Sequence, residues 1–477
     1  MLAFPGKTLC AAALAALLAT VANADDAARR PNVVILFADD LGYADGGFGG
    51  NPKVPTPNLD ALAAAGVRCN SGYVTAPVCS PSRAGLLTGR YQHRFGFEFN
   101  AGPMQRAVSQ DMGLPLDQTT IADLMRKNGY ATGMVGKWHQ GLWEKYNPTN
   151  RGFDEYFGFL FGANLYILPD ADGAVSEQVG DETFSRQRPK SDPIVRGTEP
   201  VDEREYLTDA FSREAVSFID RHKDQPFFLY VPFNAVHTPF QTTDEYYERF
   251  PTIENRPARV FAAMLSALDD AVGEILGKLR DSGLENDTLV FFLSDNGGPL
   301  YTGVQSNGPL NGGKLTLFEG GVRVPYFVKW PGHLPAGETY DKPVSTMDIL
   351  PTAVAAGGGT PPTNIDGVDL LPYLTGENTA APHDILFWRN GHNAAVRKGD
   401  WKLWRVRDTA GQARATWLYN LAADLGETTD VSKENPEVVK ELLGELEKWE
   451  ADMAAPLWPA RMTKPTKVND LEMELAI

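Results

Sequence analysis

The feature that most constrains the fold of this chain is an alternation of apolar runs with amphipathic segments. Residues 33–38 form an uninterrupted apolar run, which is typical of a strand buried on both faces. Similar runs occur at 130–135, 226–231, 288–293 and 324–328, and helical patterns occur at 56–66, 119–128, 206–222 and 259–279. This alternation predicts an α/β fold with a mostly parallel sheet flanked by helices on both faces.

Four of the apolar runs lead directly into charged, imidazole or amide side chains. These are Asp39 and Asp40, Lys137 and His139, His237, and Asp295 and Asn296. In open α/β sheets, ligands bind along the edge formed by the carboxyl ends of the strands. General loop polarity explains one or two such cases more easily than four. We therefore expect these side chains to meet in one site.

A short helix is predicted to begin at Cys79. Pro81 suits its first turn and Gly89 suits its end. The start of a helix attracts negative charge, and Arg83 projects from the same face as Cys79. The arrangement suggests a nucleophile that acts on a negatively charged group. Two structural alternatives stay open here: a buried Cys79 beside a surface Arg83, or a disulfide between Cys79 and Cys69.

Net charge and the N-terminus narrow the classes of function. A formal net charge of −17 over 477 residues argues against nucleic-acid binding by phosphate neutralisation. Lys7, the apolar run 9–21 and the small-residue site 22–24 predict a secretion signal over residues 1–24. No later stretch is long and apolar enough to predict a membrane span. We expect an exported, periplasmic or extracellular protein.

Two regions follow the predicted signal. Residues 25–380 carry the α/β pattern and would form the main domain, with 168–202 as a long surface loop. Residues 381–477 predict a small α+β subdomain with an antiparallel sheet, a helix at 436–454 and an irregular tail. Its short predicted strands lie at 385–389, 394–397, 401–406 and 415–421.

The acidic and amide residues after the strands predict a metal site. Asp39, Asp40, Asp295 and Asn296 offer only oxygen ligands. Such a set suits a hard divalent cation, calcium or magnesium, better than zinc.

Two lysines and two histidines are further candidates for chemistry. Lys137 and Lys314 could bind an anion, and Lys314 follows two glycines that let the backbone approach a ligand closely. His139 and His237 each lie just beyond a predicted strand and could transfer protons.

Six motifs occur along the chain in a fixed order. They are Pro31-Asn32-Val33 through Asp39-Asp40-Leu41-Gly42, Thr56-Pro57-Asn58-Leu59-Asp60, Cys79-x-Pro81-Ser82-Arg83 with Leu87-Thr88-Gly89-Arg90, Gly136-Lys137-Trp138-His139, His237-Thr238-Pro239, and Ser294-Asp295-Asn296-Gly297-Gly298. Over residues 31–421 the chain thus resembles the type I, formylglycine-dependent sulfatases, and within them the arylsulfatases and N-acetylgalactosamine-6-sulfatases. The resemblance implies an alkaline-phosphatase-like fold and a sulfuric ester hydrolase.

The resemblance also implies a modified nucleophile and a metal. In this family the signature cysteine, here Cys79, is oxidised by a maturation enzyme to Cα-formylglycine before folding, which would leave Cys69 as a lone thiol. The hydrated aldehyde attacks the sulfur of a sulfate monoester and displaces an alcohol or phenol. One calcium ion is implied, held by Asp39, Asp40, Cys79, Asp295 and Asn296.

The other catalytic roles are implied in the same way. Arg83, Lys137 and Lys314 would supply positive charge around the sulfuryl group. Either His237 or Lys314 would protonate the leaving oxygen. His139 would deprotonate the remaining hydroxyl so that inorganic sulfate leaves.

The expected substrate is a sulfated polysaccharide or glycosaminoglycan sugar. Candidate contacts are Asn164 and Tyr166 in the main domain, and Trp388, Arg389 and His392 in the small subdomain, because aromatic faces and polar edges suit sugars. The sequence leaves open the sugar, the sulfate position, endo or exo action and the oligomeric state.

Two other functions are weighed against this one. A phosphatase or phosphodiesterase of the same superfamily would use Ser or Thr and usually two zinc ions, so Cys79 and the oxygen-only ligands argue against it. An inactive homologue that binds sulfated glycans is the second alternative. It is disfavoured because every matched catalytic position is filled.

Overall fold

The structure is a computed structural model that describes residues 1, 30–178, 188, 192–460 and 462–477. The predicted secretion signal, apart from Met1, lies outside the described residues. Within the described ranges, no helix combines the length and the apolar character that crossing a bilayer requires.

The described part of the chain contains twenty strands and eleven α-helices. The strands are β1 (Asn32–Ala38), β2 (Val67–Cys69), β3 (Gly72–Tyr73), β4 (Ala131–Lys137), β5 (Glu155–Phe159), β6 (Ala174–Glu177), β7 (Val195–Arg196), β8 (Glu199–Pro200), β9 (Phe227–Pro232), β10 (Phe240–Thr243), β11 (Thr288–Ser294), β12 (Tyr326–Lys329), β13 (Glu338–Tyr340), β14 (Val344–Ser345), β15 (Ile385–Asn390), β16 (Asn393–Lys398), β17 (Trp401–Arg407), β18 (Ala413–Asn420), β19 (Thr463–Val468) and β20 (Leu471–Ala476). The helices are α1 (Pro57–Ala64), α2 (Cys79–Thr88), α3 (Met104–Ser109), α4 (Ile121–Lys127), α5 (Leu207–His222), α6 (Asp244–Tyr247), α7 (Arg256–Asp281), α8 (Glu319–Val322), α9 (Ile349–Ala356), α10 (Leu371–Leu374) and α11 (Pro436–Ala451).

Ten strands form the central sheet, in the order β13-β2-β12-β11-β1-β9-β4-β5-β7-β8. β11, β1, β9, β4 and β5 are consecutive and parallel. The four strands that were predicted to lead into polar side chains are therefore direct neighbours, and their carboxyl ends share one edge. The α/β prediction with a mostly parallel sheet is confirmed.

β1 explains why the sheet carries helices on both faces. All seven of its residues are buried. Val34 and Leu36 pack into one apolar cluster with α1, α5 and α7, whereas Val33 and Ile35 pack into a second cluster with α2, α4 and α9. An apolar residue at every position is what a strand covered on both sides requires.

Three regions differ from the prediction. The strand predicted at 324–328 is β12, which runs antiparallel between β11 and β2. The predicted loop 168–202 contains β6, which pairs with β10, and β7 and β8, which complete one sheet edge. The tail is not irregular, because β19 and β20 form an antiparallel hairpin.

The C-terminal part has the predicted α+β arrangement. β15 to β18 form an antiparallel sheet in chain order, and α11 covers one face of it through Leu442 and Leu446. The other face carries Trp388 and Trp404, which pack against residues 315–324 of the main domain and against the hairpin. Both faces of this sheet are therefore covered.

A buried ionic cluster joins the C-terminal sheet to the main domain. The Lys402 ammonium in β17 lies 2.9 Å from Glu319 Oε1 and 3.0 Å from Glu427 Oε1, and all three side chains are almost fully buried. Burial raises the pKa of Glu427 to about 7, although Lys402 opposes the rise. Burial also raises the pKa of Glu319, but Lys402 and Arg323 outweigh it and bring that pKa to about 2.

We expect Lys402→Met to destabilise the protein strongly, because it removes the cation that the two buried carboxylates share and leaves one of them, Glu319, with Arg323 alone. Removing one partner of a buried pair costs about 3–5 kcal/mol, and urea unfolding would measure the loss. Lys398→Met is the matched control, since Lys398 pairs with Glu441 at the surface of the same subdomain. The control should unfold like the parent, and equal midpoints for the two variants would contradict the prediction.

Candidate active site

The carboxyl edge of the sheet gathers the polar side chains that follow the four strands. Asp39 comes directly after β1, and its backbone N–H donates to Ala235 O at 2.9 Å, beyond the end of β9. Asp295 comes directly after β11, and its N–H donates to Ala38 O at 3.1 Å. Lys137 is the last residue of β4. Strand register therefore brings residues far apart in sequence into one place.

Cys79 is the first residue of α2, as predicted, and Gly89 ends that helix with a φ of 62°. The Cys79 side chain is buried, and its Sγ lies 3.3 Å from Lys314 Nζ and 4.0 Å from Asp40 Oδ1. Cys69 is also buried, and both cysteines are free thiols. The structure therefore excludes a disulfide between them as the role of Cys79.

Arg83 and Lys137 pair with the carboxylates of this edge. Arg83 donates from Nε at 3.0 Å and from Nη2 at 2.8 Å to Asp295 Oδ2. Lys137 Nζ lies 2.5 Å from Asp39 Oδ2, and all four side chains are inaccessible to solvent. These cations hold the carboxylates in place and offset the cost of burying them.

Two oxygen atoms in this cluster suit a metal ion. Asp39 Oδ1 and Asn296 Oδ1 are buried and accept no hydrogen bond from the described residues. Ligand atoms of Asp39, Asp40, Cys79 and His237 all lie within 4.8 Å of one another. Buried acceptors normally have partners, and carboxylate and amide oxygens favour a hard cation. The donor set therefore fits the divalent ion expected from the sequence.

Burial and a neighbouring carboxylate set the protonation states of Cys79 and Lys314. Burial raises the pKa of the Cys79 thiol to about 12, and Lys137 and Lys314 counteract this only in part. Burial alone would lower the pKa of Lys314, but Asp40, whose carboxylate lies 2.8 Å from Nζ, raises it well above its usual range. At neutral pH the unmodified site thus holds a neutral thiol beside a charged lysine.

His139 lies at the site with a strained backbone and an unpaired ring nitrogen. Its φ is 58°, its carbonyl accepts a hydrogen bond from Ser80 Oγ at 2.6 Å, and its buried Nδ1 has no partner among the described residues. Gly162 is required beside it, because a Cβ there would lie 2.8 Å from the ring. Burial lowers the pKa of His139 well below its usual range, and Lys137 lowers it further. The neutral ring can accept a proton.

His237 reaches the site from the loop after β9. Its Nε2 lies 3.6 Å from Asp40 Oδ2, and its Nδ1 contacts the carbonyl of Thr238. Burial lowers the pKa of His237, while Asp40 acts in the opposite direction. The side chain keeps 17% of its surface exposed, more than Asp40 or Lys314 does. It is therefore placed to exchange a proton with a bound molecule.

Three of the candidate substrate contacts lie inside the scaffold. Trp388 is buried and donates from Nε1 to Val74 O at 2.7 Å. The Tyr166 hydroxyl donates to His237 O at 2.7 Å and so supports the histidine loop. Asn164 donates to a backbone carbonyl at 2.9 Å. Packing and hydrogen bonds within the protein already engage these three side chains, and their contact with a substrate stays a prediction.

The other two candidates lie at a separate groove of about 1020 Å³, whose lining includes none of the catalytic or metal candidates. His392 is exposed there. Arg389 is paired with Glu98 at 2.6 Å, so its charge is neutralised. The structure does not bring either residue into the site at the sheet edge.

Two side chains that shape the site carry no recognisable signal in the sequence. Asn307 accepts hydrogen bonds from Tyr43 N and Gly298 N and donates to Gly298 O and Gly312 O, which ties the loops on either side of the site together. Gln305 donates to the carbonyl of Asp40. Both lie in an ordinary polar loop, where only the folded contacts distinguish them.

The chain is similar to sulfatases along most of its length. The family model described as Sulfatase matches residues 31–359, and the one described as N-sulphoglucosamine sulphohydrolase, C-terminal matches residues 313–452. N-acetylgalactosamine-6-sulfatase of Sus scrofa is 36% identical over 399 residues, which cover 79% of this chain and 72% of that protein. Arylsulfatase D of Homo sapiens is 32% identical over 461 residues, which cover 81% of this chain and 76% of that protein.

A solved structure is similar in both fold and sequence. The crystal structure of Ps i-CgsB in complex with k-i-k-neocarrahexaose has a TM-score of 0.80 and 37% identity to this chain. The match covers 90% of this chain and 95% of that one. The similarity therefore extends through both the main domain and the C-terminal part.

The oxygen-rich cluster predicts binding of one divalent cation, for which calcium is the test ion. Asp40→Asn removes a charged ligand, and we expect it to weaken binding roughly a hundredfold. Calorimetric titration of chelator-treated protein with calcium would measure the change without any enzyme assay. Asp281→Asn, at an exposed helix end, is the control and should bind like the parent. Equal affinity in the two variants, or no binding by the parent, would contradict the assignment.

Proposed function

The chain belongs to the sulfatase family, and from this premise we propose that it releases inorganic sulfate from a sulfated polysaccharide or glycosaminoglycan sugar with Cα-formylglycine at position 79 and one calcium ion. Family membership makes the chain a sulfuric ester hydrolase. The sugar, the modification, the metal identity and export are the proposed parts.

The environment of Cys79 is the observation that carries the proposal. Its Sγ stands within contact of Lys314 Nζ and Asp40, at the first residue of a buried helix. A hydroxyl nucleophile at this position would face fixed positive charge from Lys314, which stabilises negative charge that develops on a sulfuryl group. The thiol itself is neutral, which supports the view that Cys79 is a precursor.

The metal and the modified side chain complete the donor set. Asp39, Asp40, Asp295 and Asn296, together with the oxidised Cys79, would hold the calcium ion. When present, calcium supplies a Lewis acid and the hydrated aldehyde supplies the nucleophile. One oxygen of Asp39 and one of Asn296 accept no hydrogen bond from the described residues, which supports this assignment.

The other side chains divide into those that position and those that transfer protons. Arg83 and Lys137 hold Asp295 and Asp39 through buried pairs, so they act mainly through the carboxylates. Lys314 points at position 79 and binds the anionic group. The neutral His139 accepts a proton.

His237 is our candidate for the group that protonates the leaving oxygen. Its ring is partly exposed and faces Asp40, so it can both reach a substrate and be held in one orientation. Lys314 is the alternative donor, but its ammonium is already engaged with Asp40 and Cys79.

The relatives support a carbohydrate substrate. One curated relative is an N-acetylgalactosamine-6-sulfatase, and the similar solved structure is a complex with k-i-k-neocarrahexaose. We extend from these names only the class of substrate, a sulfated sugar within a larger glycan. The proposed partners are this glycan and a formylglycine-generating maturation enzyme, and the proposed location is periplasmic or extracellular.

Replacing Cys79 with Ala should abolish sulfate release, because the variant has no precursor for the nucleophile. Release of sulfate and of phosphate from matched aryl esters would be measured side by side, and the peptide that contains position 79 would be weighed. We expect sulfate release to dominate and the mature peptide to be lighter than its cysteine form. Dominant phosphate release would sink the proposal, as would full activity with an unmodified thiol.

His237→Gln should slow the hydrolysis of esters with poor leaving groups most, since an alkoxide needs a proton as it departs and a nitrophenolate does not. We expect a loss of about 10²–10⁴-fold for a sugar sulfate, the range for general acid catalysis, and a far smaller loss for nitrophenyl sulfate. Lys314→Met should slow both esters alike, because it removes charge stabilisation. His222→Gln, at a surface pair with Glu155, is the control. Equal losses on both esters in His237→Gln would assign the proton to another group.

A further inference from the structure

A cavity of about 420 Å³ opens beside Lys314. One wall consists of the loops 300–301 and 311–318, and the other is the C-terminal hairpin of β19 and β20. Its lining in the described part of the chain includes Lys314, Lys464 and Lys467 and no carboxylate. In a protein with a formal net charge of −17, this is a local concentration of positive charge.

The cavity shares one side chain, Lys314, with the catalytic centre. Lys314 lines it and also lies 3.3 Å from Cys79 Sγ. The backbone N–H of Lys314 donates to Gly298 O at 3.3 Å, and Gly298 lies two residues after Asn296 in the sequence. A glycan whose sulfate reaches position 79 would therefore have its neighbouring sugar beside or within this cavity.

The far side of the cavity presents a cation held over an aromatic ring. Lys464 Nζ lies 3.2 Å from the centroid of the Tyr301 ring. Tyr301 is 43% exposed and its neighbour Leu300 is 47% exposed, so both side chains are accessible from solvent. The ring holds the Lys464 ammonium at this side of the cavity, and the ammonium has three N–H donors and no acceptor. This combination suits an anionic sugar.

The two hairpin lysines face opposite sides of β19. Side chains alternate along a strand, so Lys464 shares a face with Val468, which is buried. Lys467 lies on the other face, where its cross-strand partner is Glu472. The cavity thus receives its inward charge from Lys464, and Lys467 lies at the rim beside a carboxylate.

The larger groove near Arg389 does not present a comparable excess of positive charge. Arg389 is paired with Glu98, and Arg405 is paired with Glu450 at 2.8 Å. The lining of the groove also includes further carboxylates such as Asp408, whereas the described lining of the smaller cavity includes none, although the groove is more than twice as large. Size alone does not make it the better anion site.

We propose that the cavity between Lys314, Tyr301 and Lys464 binds a second anionic group, a sulfate or a carboxylate, on the sugar next to the one that is hydrolysed. The proposal rests on the proposed function and specifies its substrate: a glycan with charges on neighbouring sugars. The hairpin lies outside the residues that either family model matches. This subsite is thus built partly from a segment that the family match does not include.

The test compares three disaccharides that carry the same sulfated sugar but an uncharged, a carboxylated or a sulfated neighbour. Affinities would be measured by calorimetry in the Cys79→Ala background, where no turnover occurs. We expect a charged neighbour to strengthen binding roughly tenfold, since a tenfold change requires only one modest ionic contact. Lys464→Gln should remove this advantage, Lys464→Arg should restore it, and the charge-matched control Lys467→Gln should keep it.

Each outcome bears on the proposal. An advantage for the sulfated or for the carboxylated neighbour alone supports the subsite and identifies its anion. No advantage for either, or equal losses in Lys464→Gln and Lys467→Gln, overturns it. If circular dichroism shows that Lys464→Gln does not fold, two measurements still test the subsite. Tyr301→Ala should reduce the advantage of a charged neighbour, and the protein with Lys464 intact should bind the charged disaccharides more tightly than the uncharged one. Failure of the proposed function would be recognised separately, as absence of aryl-sulfate turnover by the chain with Cys79 intact.

Discussion

The structure depends on three buried ion pairs at one edge of a parallel sheet. They are Asp39 with Lys137, Asp295 with Arg83, and Asp40 with Lys314. An ionised carboxylate that leaves water loses several kcal/mol of solvation in a real protein, so Asp39 and Asp295 can be buried only beside Lys137 and Arg83. That pairing requires β1, β11 and β4 to keep their register and α2 to start where it does. Because these charges balance, a divalent cation would give the site a net positive charge, which suits an anionic ester.

Hydrophobic patterning explains which parts of the fold could be predicted from the sequence. β1 and β11 are apolar at nearly every position because helices cover both their faces, and such an apolar run can be recognised in the sequence alone. The direction of β12 was not predictable, since it depends on which neighbours the strand finds. The hairpin was missed because its buried side chains, such as Val468 and Leu475, alternate with exposed charged residues in a short segment.

The same distinction holds for the site. Asp39 and Asp295 could be identified because each follows a buried strand without an intervening residue. The parallel pairing of these strands then places both side chains at the same edge of the sheet. Trp388 could not be placed, because its strand alternates and the sequence does not reveal that the hairpin and residues 315–324 cover the second face of that sheet. Lys464 was missed for the related reason that its significance comes only from its contact with Tyr301.

The Lys402 cluster limits how such a protein can be recombined. Lys402 belongs to the C-terminal sheet, whereas Glu319 lies five residues beyond Lys314 in the main domain. A chimera with the C-terminal sheet of a relative would leave Glu319 with Arg323 but without its second cation, unless the incoming sheet carried one at the same place. Any exchange of the C-terminal part therefore has to preserve the charge pairing across this boundary, whatever else it changes.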